Sequence, residues 1–242
     1  GLVSRVRIDV VLADHVAGGR LGDAAVPRRD GPRRIAGFFG AERRQACRQL
    51  AGFLRALGVN RLSLGVQSAH DDELRLLGRI HTWDEAVAAV QAARAAGLDN
   101  LSLDFIYGLP GQTLARWQET LSAALSLAPE HLSLYALTVE EGTPLAAQIA
   151  ASRLPAPDPD LAAEMFERAE EMLAEAGFAH YEISNWARPG RACRHNRVYW
   201  RNHPYLGVGA GAHGSWGGLR YYHVRRPRRY SHRLQNQEIG SA

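Results

Sequence analysis

The sequence of 242 residues contains no lysine, so arginine supplies all 29 of its basic side chains. It has only two cysteines, Cys47 and Cys193, separated by 146 positions. That separation excludes a disulfide framework and a zinc ribbon formed within one loop. No apolar run approaches the ~20 residues of a membrane-spanning helix. No signal-peptide pattern follows Gly1. We therefore expect a cytoplasmic protein without a membrane span.

The composition is that of a folded protein with an uneven charge. Hydrophobic residues make up 46% and charged residues 22% of the chain, which excludes wholesale disorder. Residues 1–57 contain eleven arginines and five acidic residues, a net charge of +6 against +4 for the whole chain. Because the basic excess is assigned to this segment, we expect no nucleic-acid partner.

Residues 1–57 have weak patterning. Residues 3–12 alternate as a strand does, and the Gly-, Pro- and Arg-rich stretch after them is typical of a loop. A helix is predicted over residues 41–57, with Cys47 as a small buried residue of one face. We predict that residues 1–57 form a poorly ordered N-terminal segment.

Beyond residue 58, a Leu-Ser-Leu core recurs in residues 61–67, 100–106 and 131–137. Each copy predicts a short buried strand. Helical patterns follow them, over residues 83–97, 114–128 and 158–177. Strand–helix units of this kind predict an α/β fold with parallel strands and crossover helices.

The strands are predicted to have one apolar and one polar face. Leucines alternate with polar or small residues, among them Ser63, Gln67, Ser102 and Asp104. A polar face on every strand suits a barrel wall around a ligand. Gln67 and Asp104 lie toward the carboxyl ends of their strands, where barrel enzymes place their chemistry. The alternative is that both side chains only satisfy backbone groups beneath a loop.

Several motifs resemble those of one family. The runs GVQS (65–68), LGRIHT (77–82) and DFIYGLPGQT (104–113) are similar to the radical S-adenosylmethionine (radical SAM) family of oxygen-independent coproporphyrinogen III oxidases and HemW haem chaperones. Four further runs favour the HemW members: LTVEEGTP (137–144), YEISN (181–185), HNRVYW (195–200) and GVGAGAH (207–213). The resemblance covers residues 58–234.

The resemblance implies a partial (β/α) barrel of the radical SAM type, with its first strands missing or replaced, plus a small α+β C-terminal extension. We place the barrel at residues 58–178. The extension, rich in histidine and aromatic residues and short relative to the family, is placed at residues 179–242. The resemblance also implies that S-adenosylmethionine contacts the residues matching the family's nucleoside site: Gln67, Arg79, Asp104 and Ile106.

Members of this family hold a [4Fe–4S] cluster through a CxxxCxxC motif, which this sequence lacks. We therefore expect no cluster, no metal-ligating residue and no catalytic residue in this chain as given.

Five histidines lie between residues 195 and 232, among tyrosines, tryptophans and arginines. Haem binding needs an aromatic slot, an axial ligand and cations for the propionates. His195 and His213 are the first candidate ligands, and Tyr199 is the alternative. These side chains could instead be hydrogen-bonded elements of a core. We expect the glycine run at 207–212 to serve close backbone packing, and Cys193 to be a free or a small buried thiol.

Three functions follow from these patterns. The first is a HemW-like chaperone that binds haem and delivers it to acceptor proteins. The second is a radical SAM enzyme of porphyrin biosynthesis, similar to oxygen-independent coproporphyrinogen III oxidase. The third is an inactive fragment of either. The sequence leaves the oligomeric state open.

Overall fold

The structure is a computed structural model, and it describes residues 8–11 and 39–236. The chain divides into two compact units, residues 1–192 and 193–242. Most of the N-terminal segment for which we predicted poor order, residues 1–7 and 12–38, lies outside the described residues.

The first unit contains a six-stranded mixed sheet in the order β1-β2-β3-β4-β6-β5. Strands β2, β3 and β4 are parallel, whereas β1 pairs antiparallel with β2, and β6 pairs antiparallel with β4 and β5. The strands are β1 (Ile8–Val11), β2 (Arg61–Gln67), β3 (Leu101–Tyr107), β4 (His131–Ala136), β5 (Ala179–Glu182) and β6 (Asn185–Ala187).

Among the described residues, six helices accompany this sheet. The three that were predicted between and after the parallel strands begin and end close to the expected positions. Their starts are fixed by capping side chains. Thr82 and Glu85 form a reciprocal capping box at α3, and Asp158 caps α6. The helices are α1 (Phe39–Ala56), α2 (Asp71–Leu76), α3 (Trp83–Ala95), α4 (Leu114–Ser126), α5 (Pro144–Ala150) and α6 (Pro159–Glu175).

The predicted division of the strands into two faces is confirmed. Leu101, Leu103 and Phe105 of β3 are fully buried and belong to the same hydrophobic core as Trp117 and Leu121 of α4. Burying a side chain of this size contributes about 1.5–3 kcal/mol. The opposite face carries the polar residues, so the core fixes which side chains of the sheet remain available for a ligand.

The edges of the sheet differ from the expectation in one respect. We placed a boundary after residue 178, but the compact unit continues to residue 192. The reason is that β6 pairs with β4 at three positions, which adds residues 179–187 to the main sheet. At the other edge, β1 pairs with β2 from Ile8 to Val11. The described strands form no closed barrel, and the α/β class with a partial radical SAM-type fold is as predicted.

The second unit is built around an antiparallel hairpin of β7 (His213–Trp216) and β8 (Leu219–Tyr222), with α7 (Arg194–Trp200) before it and α8 (Pro227–Gln235) after it. Of the glycine run for which we predicted close backbone packing, Gly207 packs closely, whereas a Cβ at Gly209 would have nothing within 4 Å. A Cβ at Gly207 would lie 2.1 Å from the carbonyl oxygen of His213. Only glycine therefore fits where the two segments approach each other.

Candidate functional site

Asp104 lies at the centre of the polar face of the sheet. Its carboxylate accepts hydrogen bonds from the Ser63 hydroxyl of β2, at 3.1 and 3.2 Å to its two oxygens. The Ser102 hydroxyl of β3 lies 3.4 Å from Oδ1 and donates to it. Asp104 is half-buried, and a carboxylate has about four acceptor positions. Ribose hydroxyl groups require an acceptor of this kind.

The hydrogen-bonded row continues across β4 and β5 through His131. Nδ1 of His131 lies 2.8 Å from Oγ of Ser102, and Nε2 lies 2.7 Å from the hydroxyl of Tyr181. His131 is only 1% exposed. Burial, with a contribution from the nearby Arg61, lowers its pKa to about 2. The imidazole is therefore neutral, with one donor and one acceptor nitrogen.

A second polar row runs beside the first. Ser133 donates to Oδ1 of Asn185 at 2.7 Å, and Nδ2 of Asn185 donates to Glu182. Tyr135, two residues after Ser133, is 44% exposed. Burial of its hydroxyl and the negative charges of Asp104 and Glu182 raise its pKa. Its phenol keeps its proton at neutral pH and can donate to a ligand.

The other residues implied by the resemblance lie around the same edge. Gln67 ends β2, is 7% exposed and has a φ of 76°, where the pairing with β3 shifts register. Ile106 is half-buried and pairs with Tyr135. Arg79 is half-buried, and burial lowers its pKa. Nε2 of His81 lies 3.0 Å from the carbonyl oxygen of Val66, so the segment 79–81 is held against the carboxyl end of β2.

A buried glutamate, which sequence reasoning missed, joins two of the motifs. Glu73 of α2 is 5% exposed and accepts hydrogen bonds from Ser68 at 2.5 Å, from Gln112 at 3.1 Å and from Nε of Arg116 at 3.1 Å. Ser68 follows β2 and Gln112 follows β3. Glu73 therefore holds the two loops at the carboxyl edge of the sheet. In the sequence, Glu73 ends the acidic run Asp-Asp-Glu (71–73), which is typical of solvent-exposed residues. No local signal therefore distinguishes it as a buried residue.

A cavity of about 500 Å³ lies at the carboxyl ends of β3 and β4, on the side where α6 begins. Tyr107, Leu137 and Phe166 supply much of its apolar lining, and Asp158 and Glu167 supply carboxylates. No pattern in the sequence predicted this cavity.

In the second unit, the structure brings two of the three haem candidates together. The hydroxyl of Tyr199 lies 2.9 Å from Nε2 of His195, and their rings meet edge to face at 4.9 Å. Tyr205 packs against Tyr199 with ring centroids 4.6 Å apart. Burial and Tyr205 raise the pKa of Tyr199. Because Tyr199 is 43% exposed, a ligand can reach this pair.

His213, the third candidate, has a different ring neighbour. It is exposed on β7 and stacks on Tyr222 at 5.7 Å. His223 is a hydrogen-bonded structural element, since its Nε2 lies 3.0 Å from the carbonyl oxygen of Gly207 and its ring packs on Tyr221 and Tyr230. Cys193 is half-buried at the start of α7.

The units also separate the charge, which corrects our assignment of the basic excess to residues 1–57. Residues 193–242 contain nine arginines and one acidic residue, Glu238, a net charge of +8. Residues 58–192 contain nine arginines and nineteen acidic residues, a net charge of −10. The pair formed by His195 and Tyr199 therefore lies in a strongly positive unit, and this charge favours an anionic ligand.

The fold of the first unit is that of a radical SAM domain. The profile of the Radical SAM superfamily matches residues 37–124 and so includes α1. The structure is similar to that of coproporphyrinogen III oxidase (HemN) from Escherichia coli, a radical SAM enzyme. The TM-score is 0.65 and the identity 25%, over 78% of this chain and 46% of that one.

Two curated relatives are more similar in sequence. The HemW haem chaperone of Synechocystis is 44% identical over 173 residues, which are 72% of this chain and 42% of the relative. The mitochondrial radical S-adenosyl methionine domain-containing protein 1 of Mus musculus is 49% identical over 166 residues, which are 69% of this chain and 37% of the relative. The chain therefore contains a radical SAM domain and is a homologue of the HemW haem chaperones. It spans less than half the length of the relatives it matches.

The residues of this chain do not fit the cluster of that family. A [4Fe–4S] cluster is held by cysteine thiolates, and Cys47 and Cys193 belong to different units. In the described part of the chain, no three histidine, cysteine or acidic side chains are grouped as metal ligands. Among the same residues, no helix is long and apolar enough to cross a bilayer.

Proposed function

We propose that this chain is a HemW-type haem-binding protein that takes part in delivering haem to acceptor proteins. The observation that carries the proposal is the pair formed by His195 and Tyr199, 2.9 Å apart, exposed, and flanked by Tyr205. Imidazole and phenolate are both haem ligands in proteins. The name of the Synechocystis relative, a haem chaperone, supports the same function.

The positive charge of the second unit favours the binding of haem. Haem carries two propionates, and arginine binds carboxylates through paired hydrogen bonds. Arg197 lies between His195 and Tyr199 on α7, and Arg194 and Arg201 lie at the ends of that helix. No carboxylate side chain occurs from residue 193 to residue 236 to compete for them. We propose that arginines of this unit bind the propionates while His195, Tyr199 or, as a further candidate, His213 binds the iron.

For the first unit, we propose that the polar face binds S-adenosylmethionine. Asp104 would accept hydrogen bonds from the ribose, Gln67 and Arg79 would bind polar groups of the cofactor, and Ile106 would contact the adenine. Family members cleave this cofactor with electrons from a cluster. Because the chain does not supply the cluster's cysteines, the proposal extends only to binding.

The test is a haemin titration of the purified chain, followed by the Soret band. We expect saturation at about one equivalent, with the affinity lowered at least about tenfold in His195→Ala and Tyr199→Phe, the loss of about 1.4 kcal/mol. His203→Ala is the matched control because His203 is an exposed histidine of the same unit. No Soret shift, or equal shifts in all four proteins, would refute the assignment.

A radical enzyme of the coproporphyrinogen III oxidase type is the second candidate, favoured by the structural similarity of the sheet. It requires a cluster held by thiolates. Anaerobic reconstitution with iron and sulfide separates the two functions. A stable brown product with the absorption of a thiolate-held cluster would favour the enzyme. A colourless protein that still binds haemin would favour the chaperone.

A further inference from the structure

The polar face carries an unbroken row of hydrogen bonds that the nucleoside site does not by itself require. It runs from Asp104 through Ser102 and His131 to Tyr181, with successive distances of 3.4, 2.8 and 2.7 Å. It joins β3, β4 and β5. His131 and Ser102 are both almost completely buried, so water does not compete for these bonds.

The direction of this row is set by its two ends. A serine hydroxyl has a single proton to donate. Ser102 can give that proton to Asp104 only if His131 does not take it, which requires His131 to present Nδ1–H to the Ser102 oxygen. Nε2 is then the acceptor and receives the Tyr181 hydroxyl proton. The negative charge of Asp104 favours this arrangement because every dipole in the row then points its positive end toward the carboxylate.

We propose that His131 is a positioning residue for the nucleoside: as the Nδ1–H tautomer, held by Tyr181, it makes Ser102 donate to Asp104 and so fixes the orientation of that carboxylate. The proposal rests on the proposed binding of S-adenosylmethionine at Asp104. The opposite tautomer would draw the Ser102 proton to His131. Asp104 would then lose the hydrogen bond from Ser102 and with it one of the contacts that orient the carboxylate.

The low pKa of His131 supports this role. An imidazolium would have protons on both ring nitrogens and could not accept from Tyr181. Burial and Arg61 oppose that state. The row therefore keeps one direction across the physiological pH range.

The test uses Tyr181→Phe, which removes one hydroxyl three hydrogen bonds away from the carboxylate. S-adenosylmethionine binding to the whole chain is measured by calorimetry. We expect Tyr181→Phe and Ser102→Ala each to weaken binding by roughly two- to tenfold, the range that one net hydrogen bond carries. In the double variant the losses should not multiply, because both act through the same bond. Tyr107→Phe is the matched control, since Tyr107 lies on the opposite, apolar face of β3.

A nitrogen NMR spectrum of histidine-labelled protein reports the tautomer of His131. This quantity would not change in the variants if His131 had only a structural role. His131, identified by the signal lost in His131→Gln, should have its proton on Nδ1 in the wild type and should change tautomer in Tyr181→Phe. Circular dichroism and thermal unfolding check that each variant is folded.

The outcomes separate the two proposals. If the wild type binds S-adenosylmethionine but Tyr181→Phe binds equally well, or if His131 carries its proton on Nε2, the positioning role is wrong and the nucleoside site stands. If the wild type does not bind S-adenosylmethionine at all, the nucleoside site is wrong and the positioning role falls with it.

Discussion

Acidification should destabilise the first unit through a single histidine. His131 is 1% exposed, and its pKa falls from the ordinary 6.5 to about 2 in the folded protein. The unfolded chain therefore binds a proton at this site below pH ~6.5, whereas the folded chain does not. Stability from the neutral imidazole is present above that pH and is lost as the pH falls toward about 2.

The magnitude follows from the shift. One pKa unit corresponds to ~1.4 kcal/mol. Between about pH 7 and about pH 5 the free energy of unfolding should fall by about 2 kcal/mol through His131 alone. The charged groups that face it are Arg61 from β2 and, through Ser102, Asp104 from β3.

Urea unfolding at the two pH values measures this loss. The fluorescence of Trp117 and Trp186, both fully buried, reports on this unit. The comparison is with His131→Gln, which cannot titrate. All other histidines contribute equally to both proteins, so the difference between their pH dependences isolates His131. Equal losses in the wild type and the variant would show that His131 does not cause the pH dependence, and an opposite sign would show that the folded protein prefers the charged imidazolium.

Two further perturbations test the packing that positions the sites. Glu73→Gln should destabilise the first unit by about 1–3 kcal/mol, because a buried charged acceptor with three donors is lost. Asp72→Asn is the control, because Asp72 also pairs with Arg116 but its side chain is 64% exposed; it should lower the free energy of unfolding by less than about 1 kcal/mol. Urea unfolding at neutral pH measures the stability of both variants. Equal losses of stability would contradict a structural role for buried Glu73. Gly207→Ala should weaken haemin binding and destabilise the second unit by about 1–3 kcal/mol, because its Cβ would overlap the His213 carbonyl. Gly52→Ala is the control, because Gly52 lies on an exposed part of α1 with open space around its Cβ; it should stabilise the chain by up to about 1 kcal/mol. If the Gly207→Ala and Gly52→Ala proteins had the same melting temperature and haemin affinity, Gly207 would not be closely packed against His213.

Local patterns predicted the parallel part of the fold well. The Leu-Ser-Leu repeats became β2, β3 and β4, and period two assigned their faces correctly because a strand turns alternate side chains to opposite sides. Thr82 and Asp158, acting as caps, explain why the helices begin close to the predicted positions. These features depend on neighbours along the chain.

The rest depended on contacts between distant residues. His131 and Tyr181 are 50 positions apart, and Glu73 and Gln112 are 39 apart. No local pattern distinguishes a buried histidine or glutamate that gains such partners from a solvated one. The antiparallel pairing of β6 with β4 likewise depends on residues that are distant along the chain. Because of this pairing, the first unit extends to residue 192, whereas we predicted a boundary at 178.

We propose that this chain binds haem in its second unit and a nucleoside in its first. A haemin titration repeated with saturating S-adenosylmethionine tests it most directly. We expect a Soret shift at about one equivalent of haemin, an affinity lowered at least about tenfold in His195→Ala and Tyr199→Phe, and a haemin affinity that changes by less than about twofold when the nucleoside is bound. The absence of a Soret shift, or displacement of one ligand by the other, would contradict it.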